Sequence, residues 1–218
     1  MEMMPFNVVV ASREPLIAIP TIFRSESPEW QSIVPMLMNG TVRLRELRSS
    51  DAPTLLSMLS TEEVSRFISP PPTTIEAFEQ FIRWSHHKRA AGQYVCFGMV
   101  PAGCEAAVGI FQVQIRPGEL AEWGFAMGSP FWGTGLFVEG AEAVLDFAFD
   151  GIGLEQVGAR AAIENHRGNG ALRKLGAVCE GVIPNGLVLN GRALDQYYWT
   201  LSADDRPRRK IVWDLRTH

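Results

Sequence analysis

Cysteine and histidine are scarce and long apolar runs are missing, and each shortage removes a class of function. The three cysteines Cys96, Cys104 and Cys179 make an odd count without metal-ligand spacing. They read as reduced and structural, with Cys179 expected to be buried at a strand start. His86, His87, His166 and His218 have no mutual spacing that suggests a metal, so none is expected. No window reaches the ~18 uninterrupted apolar residues of a membrane helix, so no membrane partner is expected. Glu2 stands where a secretory signal carries positive charge, and Arg13 and Glu14 interrupt the first apolar stretch, which points to a cytoplasmic protein. An excess of basic charge is missing too: 20 Lys and Arg stand against 24 Asp and Glu, a formal net charge of -4. With its basic residues dispersed, the chain lacks the footprint of a nucleic-acid binder. A mildly acidic surface suits a cationic substrate, or ordinary solubility.

What is present suffices for one large core. At 218 residues and 46% apolar content, the chain can bury about 70% of its unfolded surface. Residues 1–40 carry Pro15, Pro20, Pro28 and Pro35 and read as an extension packed on the domain or partly disordered. The domain is expected over residues 41–203, followed by a tail over 204–218 that is basic at 206–210. Val42 to Leu47 alternates apolar and charged side chains as a half-buried strand does. Ser50-Asp51 can cap a helix through Leu55, Met58 and Leu59, and Thr61 with Glu62 and Glu63 starts a shorter one. After the rigid loop from Ser69 to Thr73, Thr74 can cap a helix that runs through Phe78, Phe81, Ile82 and Trp84 to about Ala91. Strands over 93–100 and 105–115 follow, joined by a turn at Pro101-Ala102-Gly103.

The chain is organised around residues 122–150. Glu122, Trp123, Gly124, Phe125, Ala126 and Met127 make a strand-length run, Gly128-Ser129-Pro130 ends it, and from Leu136 onward apolar residues recur at helical spacing. At the junction stands Trp132-Gly133-Thr134-Gly135. Glycines there let backbone N–H groups approach a ligand, and the first helical turn adds unpaired donors and a positive dipole end. Such a junction is an anion site, most naturally for a phosphate. No glycine-lysine-serine/threonine sequence follows, so a nucleotide phosphate loop is a poor reading. A strand over 156–163 comes next and should run parallel to the first through a right-handed crossover. A short helix from His166 to Leu175 then precedes strands over 178–183 and 187–201, with turn signals at Pro184-Asn185-Gly186 and Asn190-Gly191.

Residues 41–203 resemble the GNAT superfamily of acyl-CoA-dependent N-acetyltransferases, and within it the branch typified by ribosomal-protein amino-terminal acetyltransferases. The resemblance rests on Phe131-Trp132-Gly133-Thr134-Gly135-Leu136 with Glu139 and Ala141, then on Asn165-His166-Arg167 with Leu172, Lys174-Leu175-Gly176 and Glu180-Gly181. A weaker match is Asn190-Gly191 and Asp195 leading into Tyr197-Tyr198-Trp199. It implies an α/β (α+β) GNAT fold: a mixed, mostly antiparallel twisted sheet of about seven strands with a central splayed parallel pair, flanked by about four helices. It implies acetyl-CoA as cosubstrate, with no metal. Backbone groups of Trp132, Gly133, Thr134, Gly135, Leu136 and Phe137 would hold its pyrophosphate. Phe125, Ala126 and Met127 would line the pantetheine arm, and Asn165 would contact the cofactor or cap the helix that follows. Phe137 replaces the usual small residue, so its side chain must point away from the pyrophosphate or the cofactor must shift. Gly168 replaces a serine whose hydroxyl relatives offer to the leaving thiolate.

The implied reaction is acetyl transfer to a primary amine, of a protein or peptide N-terminus or of a small molecule, by direct attack in a ternary complex. At pH 7 an α-amine is about 10% neutral and a lysine about 0.04%, so a base helps lysine most. Glu122 lies near where relatives place a catalytic glutamate and could take the proton directly or through water; otherwise it is a strand residue satisfied by arginine or solvent. Tyr197 and Tyr198 offer hydroxyls for the general acid, but alternate strand residues point to opposite faces, so at most one faces the cleft. Tyr198 is taken as the candidate, and core packing is the plain alternative for either. A homodimer is a family habit. The rival from another class is an acyl-CoA-binding sensor or interaction module without turnover.

Overall fold

The computed structural model describes residues 28–115 and 120–205. An eight-stranded sheet in the order β1-β2-β3-β4-β5-β6-β8-β7 organises them. Its strands are β1 (Leu37–Asn39), β2 (Val42–Glu46), β3 (Tyr94–Pro101), β4 (Gly109–Gln114), β5 (Ala121–Met127), β6 (Gln156–Ala162), β7 (Val178–Leu189) and β8 (Arg192–Ser202). Neighbours are antiparallel except β5 and β6, the expected parallel pair. The strand beyond the expected seven is β1, whose Leu37 pairs with Leu44 of β2. Among the described residues the helices are α1 (Glu29–Ser32), α2 (Ala52–Leu59), α3 (Glu62–Ser65), α4 (Ile75–Ala90), α5 (Leu136–Asp146) and α6 (His166–Lys174). The four of eight residues or more, α2, α4, α5 and α6, match expected helices, as does the shorter α3 after Thr61; α1 and α3 are single turns of four residues each.

Period-two alternation in the central strands sorts the core onto two faces of the sheet. Trp123, Phe125 and Met127 of β5 go with Ala141, Val144 and Leu145 of α5, and this cluster includes Trp30, Val34 and Leu37. Ala126, pointing the other way, joins Leu55 and Leu59 of α2 and Phe78, Phe81 and Ile82 of α4. Each such side chain contributes roughly 1.5–3 kcal/mol by leaving water. Residues 28–40, placed by sequence in an extension, supply three core side chains from residue 30 on. Residues 1–27, and the basic stretch at 206–210, lie outside the described residues.

Two local signals at α4 are met. Thr74 Oγ1 accepts from the Ala77 N–H at 3.1 Å and opens α4, and Gly92 follows its end at φ +72°. Two local expectations change. Asp51 is the N-cap residue of α2 but makes no side-chain bond into that helix; its carboxylate accepts from the Arg48 N–H at the head of the 3-10 turn Ser49–Asp51, is fully buried and takes Arg45 in a fork, with Nη1 and Nη2 donating at 2.7 and 2.8 Å. Pro184-Asn185-Gly186 is not the hairpin turn but a bulge inside β7, with Asn185 at φ +53°. Its N–H donates to Asp195 Oδ1 of β8 at 2.9 Å, which fixes the bulge. The hairpin turns at Asn190-Gly191, φ +50° and +77°, a positive pair that suits the twist of a tight hairpin. Cys179, expected to be buried, is exposed, because it lies on β7, the edge strand of the sheet among the described residues. Among the described residues no helix is long and apolar enough to cross a membrane.

Candidate active site

β5 and β6 begin side by side and then part. Their pairing consists of Ala121 with Val157 and Glu122 with Gly158. Beyond that point β5 continues to Met127 against β4, while β6 continues to Ala162 against β8. Each strand is therefore held straight by its outer neighbour while the inner ladder stops. From Trp123 onward backbone groups of β5 face a gap instead of a strand, and buried amide groups require partners. Such a gap can take a ligand that carries its own amides.

At the wide end of the gap, β5 runs through Gly128 and a 3-10 turn at Ser129–Phe131 into Trp132-Gly133-Thr134-Gly135 and α5. Gly133 and Gly135 sit at φ +78° and +90°, a region costing other residues about 1–2 kcal/mol. Both are exposed, and a Cβ added at either would meet nothing within 4 Å. Thr134 Oγ1 turns inward and donates to the Phe131 carbonyl at 2.8 Å. The result is an open cradle of backbone at a helix N-terminus. The Phe137 ring packs on Phe125 at 4.6 Å and on Phe111 at 5.6 Å between centroids, pointing into the core and away from the cradle.

The far wall is the start of α6. Asn165 Oδ1 accepts from the Gly168 N–H at 2.9 Å, capping the helix as one of its two readings holds. A Cβ on Gly168 would stand 2.6 Å from Asn165 Nδ2, so glycine at this place allows the cap to close tightly. One turn on, Asn169 is 1% exposed and bonds at both ends of its amide. Its Nδ2 donates to the carbonyls of Ala162 and Asn165 at 2.9 and 3.0 Å, and its Oδ1 accepts from Trp199 Nε1 at 3.0 Å. Asn169 ties α6 to the end of β6 and to β8, a role the sequence reading missed. Arg167 was missed as well: its guanidinium lies 4.0 Å from the Trp132 ring centroid and brings a positive charge across the mouth of the gap. Trp132 is itself fixed, its indole N–H donating to the Met127 carbonyl at 2.9 Å.

At the narrow end stands Glu122. Its Oε1 lies 2.9 Å from Arg160 Nε, with both side chains largely buried. Those two atoms are not aligned as a hydrogen bond, so this contact is an ion pair. Arg160 had no part in the sequence reading. The signal was there, since a lone arginine among Gly158, Ala159 and Ala161 needs an acidic neighbour once β6 is placed beside β5. Tyr198 faces Arg160 across β6 and β8, and its hydroxyl oxygen lies 2.6 Å from where a Gly158 Cβ would be. Burial, then the negative charge of Glu122, raise the Tyr198 hydroxyl above the ordinary tyrosine range. Tyr197 points to the other face, its ring 6.0 Å from Trp199. Of the two tyrosines, Tyr198 shares the cleft with Glu122.

Three comparisons bear on this arrangement. A family model described as an acetyltransferase (GNAT) domain matches residues 41–178. The chain is similar to the uncharacterized N-acetyltransferase p20 of Bacillus licheniformis, 24% identical over 168 residues that cover 76% of this chain and 94% of the relative. Its fold resembles RimJ of Mycobacterium smegmatis in complex with CoA-disulfide, with a TM-score of 0.70 at 19% identity over 80% of this chain and 88% of that one. It also resembles the ribosomal-protein-S5-alanine acetyltransferase of Vibrio fischeri, with a TM-score of 0.69 at 20% identity over 79% and 99%. With the parted parallel strands and the glycine cradle joined to a family match over most of the folded region, the chain belongs to the GNAT acetyltransferase domain family.

Proposed function

We propose that the protein is an acetyl-CoA-dependent N-acetyltransferase acting on a primary amine of a peptide, protein N-terminus or small molecule, with residues 41–203 as its catalytic unit. The observation that carries the proposal is the end of β5–β6 pairing at Glu122 and Gly158, with the glycine cradle at the open end of the gap. The residues present fit the cofactor. Backbone groups from Phe125 to Met127 suit an amide-bearing arm, the turn from Trp132 to Phe137 suits a pyrophosphate, and Arg167 and Asn165 flank it. Phe137, turned into the core, leaves the cradle open.

When bound, acetyl-CoA supplies an acyl carbon whose bond to sulfur is exchanged for one to the amine nitrogen. Glu122 receives the proton the amine loses, directly or through water, and Arg160 holds its carboxylate in place. An α-amine, already about 10% neutral at pH 7, asks less of that base than a lysine does. Tyr198 stays protonated across the neutral range and can donate to the departing sulfur. The same ion pair favours the rival reading, an acyl-CoA binder without turnover, in which Glu122 is structural.

Calorimetric titration with acetyl-CoA, with desulfo-CoA and ATP as controls, tests the cradle, and thiol release with amine acceptors tests the reaction. Binding of acetyl-CoA but not ATP is expected; no binding would remove enzyme and sensor together. A cytoplasmic homodimer belongs to the same proposal. The exposed Val178, Val182 and Val188 of edge strand β7 are a surface a second copy would cover, and a monomer mass in light scattering would remove that part.

A further inference from the structure

On the cleft face of β8, Leu194, Gln196 and Tyr198 follow one another at period two. Tyr198 stands at the narrow end of the gap, and Leu194 forms part of a cavity of about 230 Å³ lined by Arg66, Phe67, Glu164, Leu189 and Arg192. Its floor is apolar: Leu194 and Leu187 are buried against Ala162, with Phe67 and Leu189 packed on them. Its rim is charged. The Arg66 guanidinium lies 5.1 Å from the Phe67 ring centroid, and Arg192 Nη2 lies 3.2 Å from Glu164 Oε1. Two guanidinium groups against one carboxylate leave the rim with a positive excess. Between cavity and Tyr198 sits Gln196, 6% exposed, whose Oε1 is buried and accepts no hydrogen bond. That oxygen lies over Gly186 of β7, 2.6 Å from where a Cβ there would stand, so Gln196 is a packed floor between the two places.

We propose that this cavity is a second recognition site for the acceptor, taking the carboxylate side chain of a short extended peptide whose amino terminus lies at Glu122. This assignment rests on the transferase reading for the position of the amine. The four steps from Leu194 to Tyr198 span about 13 Å, the reach of about four extended peptide residues, so an acidic side chain near the fourth or fifth position meets the rim. Arg66 binds that carboxylate, and the methylenes lie on Phe67 and Leu194. A small amine does not span the distance.

The test uses the full chain and alanine-rich hexapeptides that carry Glu or Gln at position two, four or five. With acetyl-CoA present, Glu at position four or five should lower KM about tenfold relative to Gln, as expected for one charge-assisted contact, and Glu at position two should not. Arg66→Ala should remove that preference with kcat unchanged; Arg66 is exposed, and a melting curve checks that the variant folds. Calorimetric titration of the same peptides onto protein with and without CoA reads binding independently of turnover. If acetyl-CoA binds and no peptide is acetylated, an Arg66-dependent preference for Glu in the titration keeps the site and retires the peptide as acceptor. Equal binding and equal KM for the Glu and Gln peptides overturn the site, whichever way the transferase reading goes.

Discussion

Glu122 and Arg160 hold opposite charges 2.9 Å apart at the point where β5 and β6 separate, and the pairing limits what each can do. A carboxylate fixed beside a guanidinium can orient an amine or a water as well as receive a proton. Glu122→Gln should therefore lower kcat by about 100-fold, the range of one general base, while acetyl-CoA affinity in calorimetry stays unchanged. A binder without turnover would show only the unchanged affinity. Tyr198 is the second residue to test. Because burial and Glu122 raise its hydroxyl, it keeps its proton past the ordinary tyrosine value of about 10. Wild-type kcat should hold through mildly alkaline pH and fall only above that value, whereas Tyr198→Phe should lower kcat by about 10- to 100-fold and lose that limb. A flat profile identical in both proteins would assign the proton to another group.

At the scale of elements, the cradle and α6 each depend on a position that admits one residue type. Gly135 caps α5 at φ +90°, so Gly135→Ala should cost about 1–2 kcal/mol in backbone strain and weaken acetyl-CoA binding. Since nothing lies within 4 Å of the added methyl, the loss comes from conformation and not from collision inside the fold. Asn169 serves α6 differently, closing three hydrogen bonds between α6, the end of β6 and β8. Asn169→Ala strands buried partners, including the Trp199 indole N–H, and should destabilise by about 3 kcal/mol, read as a drop in chemical-denaturation midpoint. An unchanged midpoint would mean that water takes over all three bonds.

At the scale of the molecule, Arg45 and Asp51 bolt β2 to the loop before β4. Asp51 Oδ2 accepts from the Arg48 N–H and Oδ1 from the Ala107 N–H, at 2.7 and 2.9 Å, besides the fork from Arg45. Burial alone would raise the carboxyl, but the bonds from Arg45, Arg48 and Ala107 bring it below its ordinary value of 3.8. A depressed folded pKa means stability present above the unfolded value and lost as pH falls through the folded one. Stability should thus decline from about pH 4 downward. Asp51→Asn should flatten that decline and cost about 3–5 kcal/mol at neutral pH by leaving Arg45 buried without its counter-ion. A variant as stable as wild type at pH 7 would remove the bolt.

Much of this was written locally in the chain. The run from Glu122 to Met127, the glycines at 133 and 135, the Thr74 and Asn165 caps and the stop at Gly92 each act within a turn or a strand, so their residues sufficed to place them. The family resemblance followed from the same local motifs, and so did the parallel pair, since strand, helix and strand allow one hand of crossover. Tertiary structure decided whatever depends on a partner distant in sequence. The Asn185 bulge is held by Asp195, and the turn signal at Pro184 lost to the one at Asn190 because strand register, not local propensity, chose between them. Leu37 became an edge strand by pairing with β2, and Asp51, besides heading the turn before α2, became a buried ion because Arg45 points at it. Most of all, Glu122 was legible as a candidate, whereas its bond to Arg160, and the choice of Tyr198 over Tyr197, required β5, β6 and β8 to lie in order, since only adjacency in the sheet sets which charges meet.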